Sequence, residues 1–266
     1  MTYYSQHGED IILDEMLKDQ KNGFFVEVGC IDGRRFSNTL TFEDRGWTGI
    51  CVEAHDGYIA LLKENRPNSM ICHCAAGEAD ENATFYANAR GSLSTLDKTK
   101  EKEWKKGYKD YFSGFEEQKV SKVRLSSLFD QLNVSEIDVL SLDIEGYEIE
   151  ALKGLDLTKH KPKILVVESD SLCHEAKLDF ILIGSGYHKV INFGGNIFYV
   201  TDLAIFQRIE GKVLKGTIIH TQHPLDNTGE KSIPVEIEIA RPSTNIAKMS
   251  ILFFYNFLIK VGILKL

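Results

Sequence analysis

The chain has 266 residues, 43% hydrophobic and 26% charged, with a formal net charge of −8. Those proportions belong to a folded globular protein with a sizeable core, which excludes a disordered or collagen-like chain. The acidic balance excludes a surface of clustered lysine and arginine that tracks phosphates, so no nucleic-acid partner is expected.

The opening segment "MTYYSQHGEDIIL" is acidic where an export signal needs a basic start, and Ser5 with Gly8, Glu9 and Asp10 suits the start of a first helix. Short apolar runs follow: "FFVEVG" (24–29), "TGICVEA" (48–54), "SMICHCA" (69–75), "IDVLSLD" (137–143) and "KILVVES" (163–169). Between them, segments 56–65, 126–133 and 146–155 carry apolar residues at helical spacing. This alternation predicts an α/β fold, a doubly wound and mostly parallel sheet with right-handed helical crossovers. "YHKVINF" (187–193) and "NIFYVT" (196–201), separated by Gly194 and Gly195, predict a closing antiparallel hairpin.

Residues 77–122 break the rhythm with a strand-like "ATFYAN", the segment "GSLSTLD" and the charged run "KTKEKEWKKGYK" (98–109), which reads as a solvated helix face. Insertions at the C-terminal ends of strands build substrate loops, so the acceptor pocket is expected here. Beyond residue 205 the pattern becomes extended and punctuated by proline, which divides the chain into a domain of residues 1–205 and a C-terminal extension of 206–266. The extension ends in "IAKMSILFFYNFLIKVGILKL", whose uncharged run 249–259 is too short for a spanning helix. It suits a docked terminal helix, an oligomer contact or peripheral membrane contact, with lysines at 248, 260 and 265. The oligomeric state is left open. Five cysteines (Cys30, Cys51, Cys72, Cys74 and Cys173) without framework spacing read as reduced thiols, which places the chain in the cytoplasm.

In "FFVEVGCIDGRRFSNT" an apolar strand ends in a turn bounded by Gly29 and Gly33, where the backbone can approach a ligand closely. It is not the dinucleotide GxGxxG fingerprint, and the acids Glu27 and Asp32 disfavour a pyrophosphate. Glu53 ends the second run, where an acid can accept both hydroxyls of a ribose. A ligand with a ribose, no pyrophosphate and a tolerance for acids fits S-adenosylmethionine, which carries sulfonium and ammonium charges. Asp143 ends the fourth run on the same edge, and Glu145 with Glu148 is expected in the first turn of the helix that follows.

"SQHGEDIIL", the Gly29 turn, Glu53 and above all "IDVLSLDIEGYEIEALKG" followed by "KPKILVVES" resemble the FkbM-type S-adenosylmethionine-dependent methyltransferases over residues 4–200. The resemblance implies a class I methyltransferase (Rossmann-like) fold and transfer of methyl to a hydroxyl, most often on a sugar of a glycan, a glycosylated metabolite or a lipid-linked intermediate. Carried over, it implies that Gly29 and Gly33, with Glu27 nearby, pass the methionine moiety, that Glu53 holds the ribose, that Ala75 or Ala76 lies by the adenine, and that Gln6 and Asp10 close the site. The chain departs from the family's usual pattern in the turn, Glu-Val-Gly-Cys-Ile-Asp-Gly, and in "ESD" after the fifth run.

Two chemistries are open for the acceptor proton. Asp143 acts as general base with Glu145 tuning it, or Asp143, Glu168 and Asp170 bind Mg²⁺. His174 is a further candidate base, and His220 with His223 lacks a third metal ligand. The competing reading is a non-catalytic ligand-binding or scaffold protein that retains this fold.

Overall fold

The structure is a computed structural model that describes residues 1–108, 112–221 and 230–240. Its strands are β1 (Phe24–Val28), β2 (Thr48–Glu53), β3 (Ser69–His73), β4 (Ala75–Ala76), β5 (Glu81–Ala87), β6 (Glu116–Val123), β7 (Val139–Leu142), β8 (Ile164–Glu168), β9 (His188–Phe193), β10 (Asn196–Val200), β11 (Val213–Thr221) and β12 (Glu230–Glu238). The helices are α1 (Glu9–Met16), α2 (Leu40–Asp44), α3 (Ile59–Asn65), α4 (Lys100–Gly107), α5 (Leu125–Gln131), α6 (Glu148–Lys153), α7 (Leu172–Gly184) and α8 (Leu203–Gln207).

Seven strands form the main sheet in the order β3-β2-β1-β7-β8-β10-β9. β10 alone runs against its neighbours, pairing antiparallel with β8 and β9. This is the doubly wound sheet that the alternating pattern predicts and the class I methyltransferase arrangement that the resemblance implies, with the hairpin closing one edge. The strand order reverses between β1 and β7, and open α/β sheets bind ligands outside the C-terminal strand ends at such a switch point.

Both faces of the sheet are apolar because both are covered. Val26, Leu140, Leu165 and Ile197 contribute to one buried cluster. Phe25, Val139, Ile164, Val166 and Phe198 contribute to the other. The register sets Phe25 beside Val139 and Val26 beside Leu140, so alternate side chains feed opposite cores. Glu27 interrupts this apolar sequence and is neutralised by the guanidinium of Arg66, at 2.9 Å.

The insertion forms a separate three-stranded sheet ordered β4-β6-β5. The charged β6, "EEQKVSKV", carries no apolar alternation that would announce a strand, and it forms one by pairing with β5. The charged run supplies α4, whose Trp104 is buried against Phe112 and Phe115.

After residue 205, β11 and β12 form a hairpin. Leu214, Ile218, Ile237 and Ile239 join the same cluster as Ile11, Ile12 and Phe25, so this part of the expected extension shares the core of the sheet. The apolar terminal segment 246–266, Lys109 and His223 lie outside the described residues. Among the described residues, no helix is long and apolar enough to cross a membrane.

Candidate active site

The C-terminal ends of β1, β2, β7 and β8 enclose a cavity of about 390 Å³. Its position follows from the backbone. β1 and β7 lie side by side, and beyond them Gly29 takes φ +90° against Asp143. A Cβ on Gly29 would stand 1.7 Å from the Asp143 carbonyl oxygen, so only glycine allows this approach. Ile31 follows with φ +51°, an uncommon conformation for a branched residue. The Ile31 amide donates to Glu53 Oε2 at 2.7 Å, and the His55 amide donates to Oε1 at 2.7 Å. Burial pushes the Glu53 carboxyl up, against the pull of these amides. Glu53 lines the cavity, where a carboxylate, an acceptor at both oxygens, suits a pair of vicinal hydroxyls.

The same cavity is lined by Asp143, Glu145 and Glu168. Burial raises the Asp143 carboxyl to about 6, while a hydrogen bond with Glu168 works in the opposite direction. Glu168 is pushed well above the usual carboxylate range, first by burial and then by the charges of Asp143, Glu145 and Glu148. Coupled in this way, the two carboxyl groups titrate as a pair, and their mutual repulsion when ionised favours a shared proton. Burial and then the Asp143 charge raise Glu145 to about 8. Glu145 Oε1 accepts from the amide of Leu93 in the insertion, at 3.0 Å.

The cavity lining includes Gln6, Glu27, Gly29, Glu53, Ala75, Ala76, Asp143, Glu145 and Glu168, residues singled out on sequence grounds. The insertion contributes Gly91 to Ser94, Leu96 and Tyr108.

Other candidates are placed differently. Asp10 is spent on the chain itself, its carboxylate accepting from the amides of Tyr4 and Ser5 and the hydroxyls of Ser5 and Thr41. Ser5 in turn accepts from the amides of Gly8 and Asp10, so this segment caps α1. Gly33 packs against Leu62 and Arg66 and does not line the cavity. Asp170 pairs with Lys100, which holds its carboxyl below the usual range although burial opposes this. It is absent from the lining, so the expected Mg²⁺ set of Asp143, Glu168 and Asp170 is not assembled. Among the described residues, the one group of three side chains with metal-ligand spacing is Glu27, Cys30 and Cys51, where the Arg66 guanidinium already pairs with Glu27. Glu145 precedes α6 in a left-handed turn at φ +58°, so Glu148 alone of the expected pair stands in the helix. His174 lies against Glu148 and does not line the cavity, and His220 Nε2 donates to the Gln6 carbonyl at 2.9 Å.

Sequence reasoning passed over Arg66, Lys100 and Leu93. Arg66 is fully buried and bridges Glu27, which lines the cavity, to Glu43, at 2.9 Å and 2.6 Å. An isolated arginine after a helix gives no local sign of such burial. Lys100 heads α4 and lies over Gly146, where a Cβ would come within 2.7 Å of the lysine Cε.

A family model described as the methyltransferase FkbM domain matches residues 27–182. No curated protein matches the chain in sequence. Among solved structures, a precorrin-6y C5,15-methyltransferase from Geobacter metallireducens is similar at 11% identity and TM-score 0.40, over 86% of this chain and 84% of that one. A TehB-like SAM-dependent methyltransferase from Corynebacterium glutamicum gives 10%, 0.38, 74% and 88%. An O-methyltransferase from Bacillus cereus in complex with SAH gives 11%, 0.34, 87% and 80%.

Proposed function

The chain belongs to the FkbM methyltransferase family and is an S-adenosylmethionine-dependent methyltransferase, and on that premise we propose that it methylates oxygen, at a hydroxyl of a sugar in a glycan or glycosylated metabolite. The observation that carries this reading is the pair of buried, coupled carboxyl groups of Asp143 and Glu168, which lines the cavity together with the Gly29 turn. A hydroxyl must lose its proton as it is methylated. An ionised carboxylate whose basicity is raised to about 6 serves as that base near neutral pH.

The residues present fit the methyl donor. Gly29 opens the backbone to it, Glu53 would accept from its ribose, and Ala75 and Ala76 leave room for a flat base. When bound, S-adenosylmethionine supplies a methyl group on a positively charged sulfur, which the surrounding acids favour. Asp143 takes the acceptor's proton, Glu168 keeps its own proton and steadies the Asp143 charge, and the insertion orients the acceptor. Orientation of this kind is worth up to about 7–11 kcal/mol. Reduced cysteines support a cytoplasmic setting, and the apolar sequence at 246–266 supports contact with a membrane that carries lipid-linked acceptors.

Calorimetry with S-adenosylmethionine, together with mass spectrometry of glycans from cells with and without the gene, tests the reading. Heat with the wild type, weaker heat with Glu53→Ala, and a glycan mass gain of about 14 Da, the mass of one added CH₂, are expected. The Asp143→Asn variant keeps donor affinity and loses turnover by about 10²-fold or more. No heat with the wild type favours the scaffold reading.

A further inference from the structure

The motif "DIEGYE" holds a third acid, Glu148, for which proton transfer gives no role. Its side chain is completely buried at the start of α6. Oε1 accepts from the Ile144 amide at 3.0 Å and the Gly146 amide at 3.1 Å, spanning the turn that displays Asp143 and Glu145. That turn contains the left-handed Glu145, at φ +58°, a conformation that costs a residue with a Cβ and persists only where its surroundings hold it. Oε2 has no hydrogen-bond partner and faces His174 Nε2 at 3.4 Å. His174 is itself buried on α7, and neither ring nitrogen has a well-formed hydrogen bond. Its Nδ1 lies 3.6 Å from Asp170. Buried polar atoms left without better partners pair with whatever is opposite.

We infer that Glu148 and His174 are a positioning pair: Glu148 clamps the β7–α6 turn through two backbone amides, and His174 holds the clamp by engaging its second oxygen. Together they aim Asp143 and Glu145 at the acceptor. Neither residue lines the cavity. Their effect on turnover passes through the backbone of residues 144–146, which explains the spacing of the last glutamate in the motif: three residues after Glu145 it reaches back over the turn. The catalytic half of this inference rests on the roles proposed above for Asp143 and Glu145. The clamp itself does not.

The test uses the full chain bound to S-adenosylhomocysteine, with amide hydrogen exchange over residues 139–147 and turnover measured in parallel. Glu148→Leu should speed exchange at Ile144 and Gly146 by about tenfold or more. It should lower turnover by about 10²-fold and leave S-adenosylhomocysteine affinity within about threefold. Glu148→Gln retains an acceptor oxygen and should restore slow exchange and most of the turnover. His174→Phe should give an intermediate loss, and added to Glu148→Leu it should cost less than about threefold more, because the two act as one unit. Unchanged exchange in both Glu148→Leu and His174→Phe overturns the clamp. Faster exchange with unchanged turnover overturns its link to catalysis. If Glu148→Leu does not fold, His174→Phe and Glu148→Gln decide the matter by the same exchange readout. A wild type that methylates no acceptor would count against the proposed function and leave the exchange test standing.

Discussion

Replacing Glu168 separates its hydrogen bond from its charge. In the wild type Asp143 is raised to about 6 by burial, while the hydrogen bond from Glu168 restrains the rise. Glu168→Leu removes that donor. A hydrogen bond to a charged group is worth about 1.5–3 kcal/mol, which at about 1.36 kcal/mol per unit corresponds to roughly 1–2 pH units. The acid limb of turnover should therefore move from about 6 to roughly 7–8. Because the base must be ionised, activity falls as pH drops through this limb. At pH 7 the ionised share of Asp143 would fall from about nine-tenths to roughly a quarter for a shift of about 1.5 units. Glu168→Gln keeps an N–H donor and should hold the limb within about half a unit of the wild type. The assays are a pH–rate profile and, without any acceptor, carbon-13 NMR titration of aspartate carboxyl groups in the S-adenosylhomocysteine complex, assigned with Asp143→Asn. A leucine variant whose limb stays at the wild-type position, or a glutamine variant that shifts as far as leucine, would refute the shared-proton account.

Gly29→Ala places a Cβ 1.7 Å from a backbone oxygen, whereas Gly46→Ala, at the same φ of +90°, meets nothing within 4 Å. Urea denaturation should show Gly29→Ala less stable than Gly46→Ala by about 2 kcal/mol or more, with donor binding lost; equal stabilities would contradict the close-approach argument. Arg66→Met strands the Glu27 and Glu43 carboxylates in the core. It should cost about 3–5 kcal/mol, a melting-point fall of roughly 6–20 °C; a fall of less than about 3 °C would show that the network is not holding these charges. Burial raises Asp10 and Asp143 to about 6, Glu148 to about 7 and Glu145 to about 8 in the folded chain. Raised carboxyl groups bind more protons folded than unfolded, so their contribution is complete below the unfolded carboxylate range and is lost as pH rises through 6 to 8. The ligand-free protein should accordingly be more stable at pH 6 than at pH 8.5, by on the order of 1–3 kcal/mol, and denaturant midpoints that rise with pH over this window would reverse the sign.

The main sheet was legible because its strands are short, apolar on both faces and separated by segments of helical spacing. β6 was not, since its stability comes from pairing with β5 and its charged side chains carry no apolar signal. The glycine turn, Glu53, Asp143, Glu145 and Glu168 each stand at a strand end, and strand ends can be found by reading where apolar runs stop. The structure brings these residues to one cavity. Gly33, Asp10 and Asp170 also follow or precede elements at the right places in the chain, yet each is turned to a neighbour: Arg66, Ser5 and Lys100 in that order.

What the sequence determined by itself is the order of apolar strands and the residues at their ends, because hydrophobic periodicity and turn chemistry are local properties. Which acids share a proton, which is clamped by backbone amides and which is neutralised by a distant lysine was decided only by the tertiary structure. Those relations join α4, β7, α6, β8 and α7 across long stretches of chain. Desolvation and pairing depend on the distance between side chains in space, and no spacing along the chain encodes it.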